Sequence, residues 1–83
     1  MIEECLNQFV EKLLSLKTPR EMKEFLRAVL TPEEFKAIPL RLEIVKLLKK
    51  GIPQRKIVKR LGVGVATVTR GSKELQLNHF KNV

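Results

Sequence analysis

The stretch Gln54-Arg55-Lys56-Ile57-Val58-Lys59-Arg60-Leu61-Gly62-Val63-Gly64-Val65-Ala66-Thr67-Val68-Thr69-Arg70-Gly71-Ser72 narrows the possible folds more than any other part of the chain. Its first piece is a basic segment with Ile57, Val58 and Leu61 at helical spacing. A glycine-marked turn at Gly62 follows, and then a small, threonine-rich segment. The order helix, tight turn, helix is the pattern of a helix-turn-helix, whose second helix enters a DNA major groove. Val65-Ala66-Thr67-Val68-Thr69 also has strand propensity. No other segment offers a partner strand, so an all-α fold is expected.

The remaining chain supports that expectation. Ile2, Leu6, Phe9, Val10, Leu13, Leu14 and Leu16 recur at spacings of three and four, one apolar face of an amphipathic helix. Thr18-Pro19-Arg20-Glu21 is a helix start, with a capping threonine, proline at the first helical position and a capping-box glutamate. Met22, Phe25, Leu26 and Val29 then point inward. Thr31-Pro32-Glu33-Glu34 repeats the start signal. Pro39 falls inside the next apolar pattern, Phe35, Ile38, Leu42 and Val45, where it removes a backbone donor and predicts a kink or restart. Leu40, Ile44, Val45, Leu47 and Leu48 form another apolar face, closed by Lys49-Lys50-Gly51. A short helix is expected over residues 53–60 and a second over 65–77. Val65, Val68 and Leu75 would be its buried side. Gly62 is expected to take a positive φ, and residues 78–83 are expected to fray.

Size and charge bound the function. At 83 residues the chain is one small domain, with residues 1–50 read as a helical dimerisation core and 53–77 as a reader unit. It is 43% hydrophobic, a large share for a small monomer to hide, so self-association is expected. Residues 1–40 carry a net charge of −1 and residues 41–83 a net charge of +9. A near-neutral half followed by a strongly basic half suggests a scaffold followed by a polyanion-binding surface. The alternative is a solvated basic face, or a protein-interaction module for an acidic partner. No run of about 18 apolar residues is present, so no membrane span is expected. The N-terminus lacks signal-peptide order, and the single cysteine, Cys5, fits a reducing cytoplasm. Cys5 itself reads as a small buried hydrophobe. One cysteine and one histidine make no zinc finger, and no nucleophile–base pair, carboxylate dyad or phosphate loop points to an enzyme.

Several strings together carry a family. Leu30-Thr31-Pro32-Glu33-Glu34, Arg41-Leu42-Glu43-Ile44-Val45-Lys46-Leu47-Leu48 with Gly51, Gln54-Arg55, and Leu61-Gly62-Val63-Gly64-Val65-Ala66-Thr67-Val68-Thr69-Arg70-Gly71-Ser72 with Leu75 closely resemble the Trp repressor family. The resemblance covers residues 28–76, with one residue fewer between Gly51 and Gln54. The 27 residues before it match only in helical character.

The resemblance implies an intertwined, all-helical homodimer, a cytoplasmic transcriptional repressor of a double-stranded DNA operator, with L-tryptophan as corepressor. Arg41 and Arg70 would flank the indole ring, and Arg70 would also fork onto the ligand carboxylate. Val45 and Gly71 would line the ring slot. Thr31 and the backbone carbonyls near Ala28 and Leu30, from the other subunit, would meet the ammonium and carboxylate. Gln54 and Arg55 would bind phosphate or a guanine edge. Backbone amides at Gly64, Val65 and Ala66 would bind anions. Val63, Val65, Ala66 and Thr67 would approach the bases, in part through water, while Thr69 and Lys73 would meet phosphates. Glu74 departs from the family pattern, which has a serine there that helps bind the ligand ammonium. A carboxylate could strengthen that pairing, repel the ligand carboxylate or select another amine. The family's closing helix has no counterpart after the second reader helix, which would leave the dimer to the N-terminal helices. A regulator of the same fold with another ligand, or none, is the alternative.

Overall fold

The computed structural model describes residues 1–83 as five helices and no strand. They are α1 (Ile2–Ser15), α2 (Pro19–Val29), α3 (Pro32–Lys49), α4 (Gln54–Leu61) and α5 (Val65–Gln76). No helix is long and apolar enough to cross a membrane. The two threonine–proline starts fold as their chemistry requires. Thr18 Oγ1 accepts from the Glu21 amide at 3.1 Å, and the Glu21 carboxylate accepts from the Lys17 amide. Thr31 forms the full reciprocal box, accepting from the Glu34 amide at 3.2 Å and donating its own amide to Glu34 Oε1 at 2.8 Å.

No restart occurs at Pro39, because α3 is continuous from Pro32 to Lys49. The proline removes one backbone donor, and packing replaces what that bond would contribute. Ile44, Val45 and Leu47, on the turns that follow, are all buried. Gly51, at φ +82°, then ends α3. The amide of Ile52 donates to the Leu47 carbonyl and that of Gly51 to the Leu48 carbonyl, the paired bonds of a Schellman motif.

Packing divides the chain into two compact units, residues 1–35 and 36–83. In the first, the Phe9 and Phe25 rings lie 6.0 Å apart and the Arg27 guanidinium sits 4.8 Å above Phe35. Nothing in α1 or α2 is fully buried. Ile2, Leu6, Val10 and Leu14 are exposed along one face of α1. Cys5 is exposed too, contrary to its reading as a core residue, because this unit has no buried interior to receive it.

The second unit has a core. Ile44, Leu47, Ile57 and Val68 are buried together, and Leu48, Ile52, Val58, Leu61 and Val63 pack against them. Gly62, at φ +66°, turns α4 toward α5, and its amide donates to the Val58 carbonyl at 2.9 Å. Val68 is buried in α5 and Leu75 half-buried. Val65 is 65% exposed rather than buried. It shares the Val68 stripe by spacing but is the first residue of α5, beyond the edge of the core.

Residues 78–83 are turned, not frayed. Asn78 takes φ +64°, its amide donates to the Leu75 carbonyl, and the His79 amide donates to the Glu74 carbonyl. This is a second Schellman motif, with asparagine in the left-handed position that its short polar side chain tolerates.

Two stability outcomes follow. Gly62→Ala has no steric neighbour within 4 Å, so its whole cost is left-handed backbone strain, about 1–2 kcal/mol in urea unfolding. Ile57→Ala empties the centre of the core and is expected to cost about 2–5 kcal/mol. A midpoint unchanged by the second substitution would contradict the burial of Ile57.

Candidate functional site

Helical spacing assembles a cavity between α3 and α5. From α3 come Arg41, Ile44 and Val45, and from α5 come Thr67, Arg70, Gly71 and Glu74. Each set follows the three-and-four spacing that puts side chains on one helix face. His79 and Phe80 complete the lining of this open-sided space of about 370 Å³, within the range of small-molecule sites. Ile44 and Val45 are each only 1% exposed and make an apolar floor. Around it stand two guanidinium groups, one carboxylate and one imidazole. Guanidinium groups beside an apolar slot suit a planar aromatic ligand that carries a carboxylate. The carboxylate of Glu74 is the one group that favours a cation, and it is engaged by His79 Nδ1.

Gly71 has a structural task besides lining this space. A Cβ there would stand 3.0 Å from Ile44 Cγ2 and 3.7 Å from Leu48 Cδ1. Its absence lets α5 lie close on α3.

The residues expected at a ligand site therefore separate. Arg41, Val45, Arg70, Gly71 and Glu74 meet at the cavity. Ala28, Leu30 and Thr31 lie in the first unit. There Leu30 ends α2 and the Thr31 hydroxyl serves as the cap described above. Ile44, His79 and Phe80 join the lining without a signal in the ligand motif, and Thr67, expected at the bases, lines the cavity as well. The positions 67, 70, 71 and 74 form one helical stripe, a signal by which Thr67 could also have been found at the cavity. Nothing of that kind marks His79 and Phe80, which depend on the reversal at Asn78.

The residues expected at a nucleic acid lie on the exposed side. Gln54 and Arg55 begin α4, and Val65 and Ala66 begin α5, all exposed; Thr69 and Lys73 are exposed further along α5. Thr69 Oγ1 donates to Gln54 Oε1 at 3.3 Å, tying the two helices together. Gly64 is the N-cap of α5, and no side chain caps that helix or α4. Neither first turn holds an acid, and no acid occurs anywhere from Gln54 to Lys73. Unopposed positive helix ends among lysines and arginines favour anions. Val63 differs from the rest, being half-buried against the core.

Comparison with known proteins adds the following. The family model described as Trp repressor protein matches residues 4–81, well beyond the span legible by eye. A Trp operon repressor homolog of Actinobacillus succinogenes is 44% identical over 72 residues, covering 86% of this chain and 71% of that protein. One from Mannheimia succiniciproducens is 45% identical over 71 residues, with 84% and 70% covered. One from Vibrio vulnificus is 51% identical over 53 residues, with 63% and 52% covered. No solved structure matches significantly.

The contact at Gly71 can be tested directly. Gly71→Val forces a branched side chain against Ile44 and Leu48, and overpacking of this kind is expected to cost about 1–3 kcal/mol. A melting temperature equal to or above that of the parent would show that α5 is not held so close to α3.

Proposed function

The chain belongs to the Trp repressor family, and from this premise we propose that it is a DNA-binding transcriptional repressor, acting as a homodimer and gated by L-tryptophan as corepressor. The observation that carries this reading is the double use of α5. Its inner face lines the cavity, while its outer face exposes Thr69 and Lys73 on a helix whose N-terminus no side chain caps. In this reading α5 is the second helix of a helix-turn-helix. A ligand seated between α3 and α5 favours one tilt of α5, and a ligand shifts an equilibrium only by such differential contact. By linkage, the operator then strengthens ligand binding as much as ligand strengthens operator binding.

In the ligand-bound state Arg41 and Arg70 stack on opposite faces of the indole, and Arg70 also forks onto the carboxylate. Val45 and Gly71 bound the slot. The ammonium meets Glu74, with Thr31 and the carbonyls near Ala28 and Leu30 supplied by the partner subunit. The exposed apolar residues of α1 and Val29 in the first unit, and Ile38 and Leu42 in the second, are surfaces that dimerisation would cover. On DNA, amides of Gly64, Val65 and Ala66 and the side chains of Thr69 and Lys73 hold phosphates. Gln54, Arg55, Val65, Ala66 and Thr67 approach base edges, over the turn that Val63 supports.

Glu74 favours one competing reading, a repressor of the same fold with a different ligand. The resemblance has a serine at this position, and here a carboxylate faces the cavity.

The chain contains neither Trp nor Tyr, so the fluorescence of added L-tryptophan reports its own uptake. Saturable binding, confirmed calorimetrically, is expected; none at millimolar ligand would remove the corepressor role. Arg70→Ala is expected to abolish the ligand response, and a normal response would show the pocket to be misassigned. Duplex affinity should fall steeply with salt, with a log–log slope of about −0.9 per phosphate contacted. A flat profile would favour a protein partner instead.

A further inference from the structure

Two residues that line the cavity, His79 and Phe80, have no part in the reading above. They come from the turn that follows α5, and the route by which they reach the cavity is specific. Leu77 leaves the helix, Asn78 reverses the chain at φ +64°, and the His79 amide closes onto the Glu74 carbonyl at 3.2 Å. This brings the His79 ring onto the Glu74 carboxylate and Phe80 onto the cavity.

A second fastening comes from α3. Lys49, its last residue, donates from Nζ to the Phe80 carbonyl at 2.6 Å and to the Val83 carbonyl at 2.8 Å. The Val83 amide also donates to the Phe80 carbonyl, at 3.2 Å. Phe80 is thus the centre of a small closed turn and is half-buried. It does not belong to the core cluster. Its position is held by hydrogen bonds to its own backbone and by the contact of His79 with Glu74.

We propose that Phe80 is a ligand-contacting wall of the α3–α5 cavity, and that Lys49 is the residue that positions it. The occupant that fits is a planar aromatic, offered two guanidinium planes by Arg41 and Arg70 and a phenyl ring by Phe80. Naming that occupant as tryptophan rests on the preceding reading, whereas the wall itself does not. The hydrogen bonds that hold the turn are exposed, the type of contact that opens first in local unfolding. A ligand that touches Phe80 therefore stabilises the closed turn, and a loosened turn weakens the ligand by the same factor.

The experiment compares the full chain with Phe80→Ala, Lys49→Met and Lys49→Arg. L-tryptophan is titrated calorimetrically into each, and amide exchange at His79 and Val83 is followed without ligand. Phe80→Ala is expected to weaken L-tryptophan by roughly 2- to 10-fold, the worth of one aromatic contact. Lys49→Met should weaken the ligand and speed exchange at both amides, with Lys49→Arg recovering most of each. Wild-type affinity in both Phe80→Ala and Lys49→Met, or exchange unchanged in Lys49→Met, overturns the proposal. If the parent takes up no L-tryptophan, the corepressor reading fails and the wall is judged by nuclear Overhauser contacts. Contacts from the Phe80 ring to methyls of Ile44, Val45 or Thr67, lost in Lys49→Met, support it. Their absence from the parent overturns it.

Discussion

The close approach of α5 to α3 at Gly71 is the constraint that the cavity shares with the core beside it. A hydrogen in place of a Cβ leaves Ile44 Cγ2 and Leu48 Cδ1 where a side chain would otherwise stand. Val68, one turn earlier on α5, is buried with Ile44, Leu47 and Ile57. Along the same α5 stripe the helices enclose the cavity lined by Thr67, Arg70 and Glu74. Core and cavity are therefore neighbouring parts of one helix pairing. A close-packed interior transmits small displacements because its side chains have few alternative positions. In the proposed function, an occupant of the cavity would act directly on the helix whose outer face meets DNA.

Charge is distributed in keeping with this division. The floor of the cavity is apolar and its rim is ionic. The run from Gln54 to Lys73 is free of acids, so the uncapped starts of α4 and α5 add to the positive field rather than being neutralised within the chain. Glu74 is the exception, and it lies on the cavity, where His79 engages it. In the first unit, apolar side chains on α1 stand exposed instead of forming an interior. In the proposed homodimer, this is the face that a second copy would cover.

Much of the local structure was legible in the residues. Thr18 and Thr31 begin helices because a hydroxyl and a glutamate three residues on satisfy amides that the helix cannot. Gly51 and Gly62 end helices because a left-handed residue returns their amides to the preceding turn. Each of these depends on neighbours within a few positions. The errors have one feature in common, dependence on what lies across space. Of the kink or restart expected at Pro39 the restart does not occur, and Ile44, Val45 and Leu47 are buried on the turns beyond it. Val65 has the spacing of a core residue but stands at a helix end. Cys5 has the character of one, in a unit with no interior.

The candidate site divides in the same way. Arg41 with Val45 and Arg70 with Gly71 and Glu74 could be read as two helical stripes, since spacing alone sets which residues share a face. By itself, then, the sequence determined the helices, their ends, the family and the basic character of one half. Only the tertiary structure decided that the two stripes face each other across a cavity, and that Thr67 and Phe80 join its lining. Those outcomes rest on the missing Cβ at Gly71, the left-handed turn at Asn78 and the reach of Lys49 to carbonyls far along the chain. Local periodicity encodes faces, whereas the pairing of faces depends on contacts between residues distant in sequence.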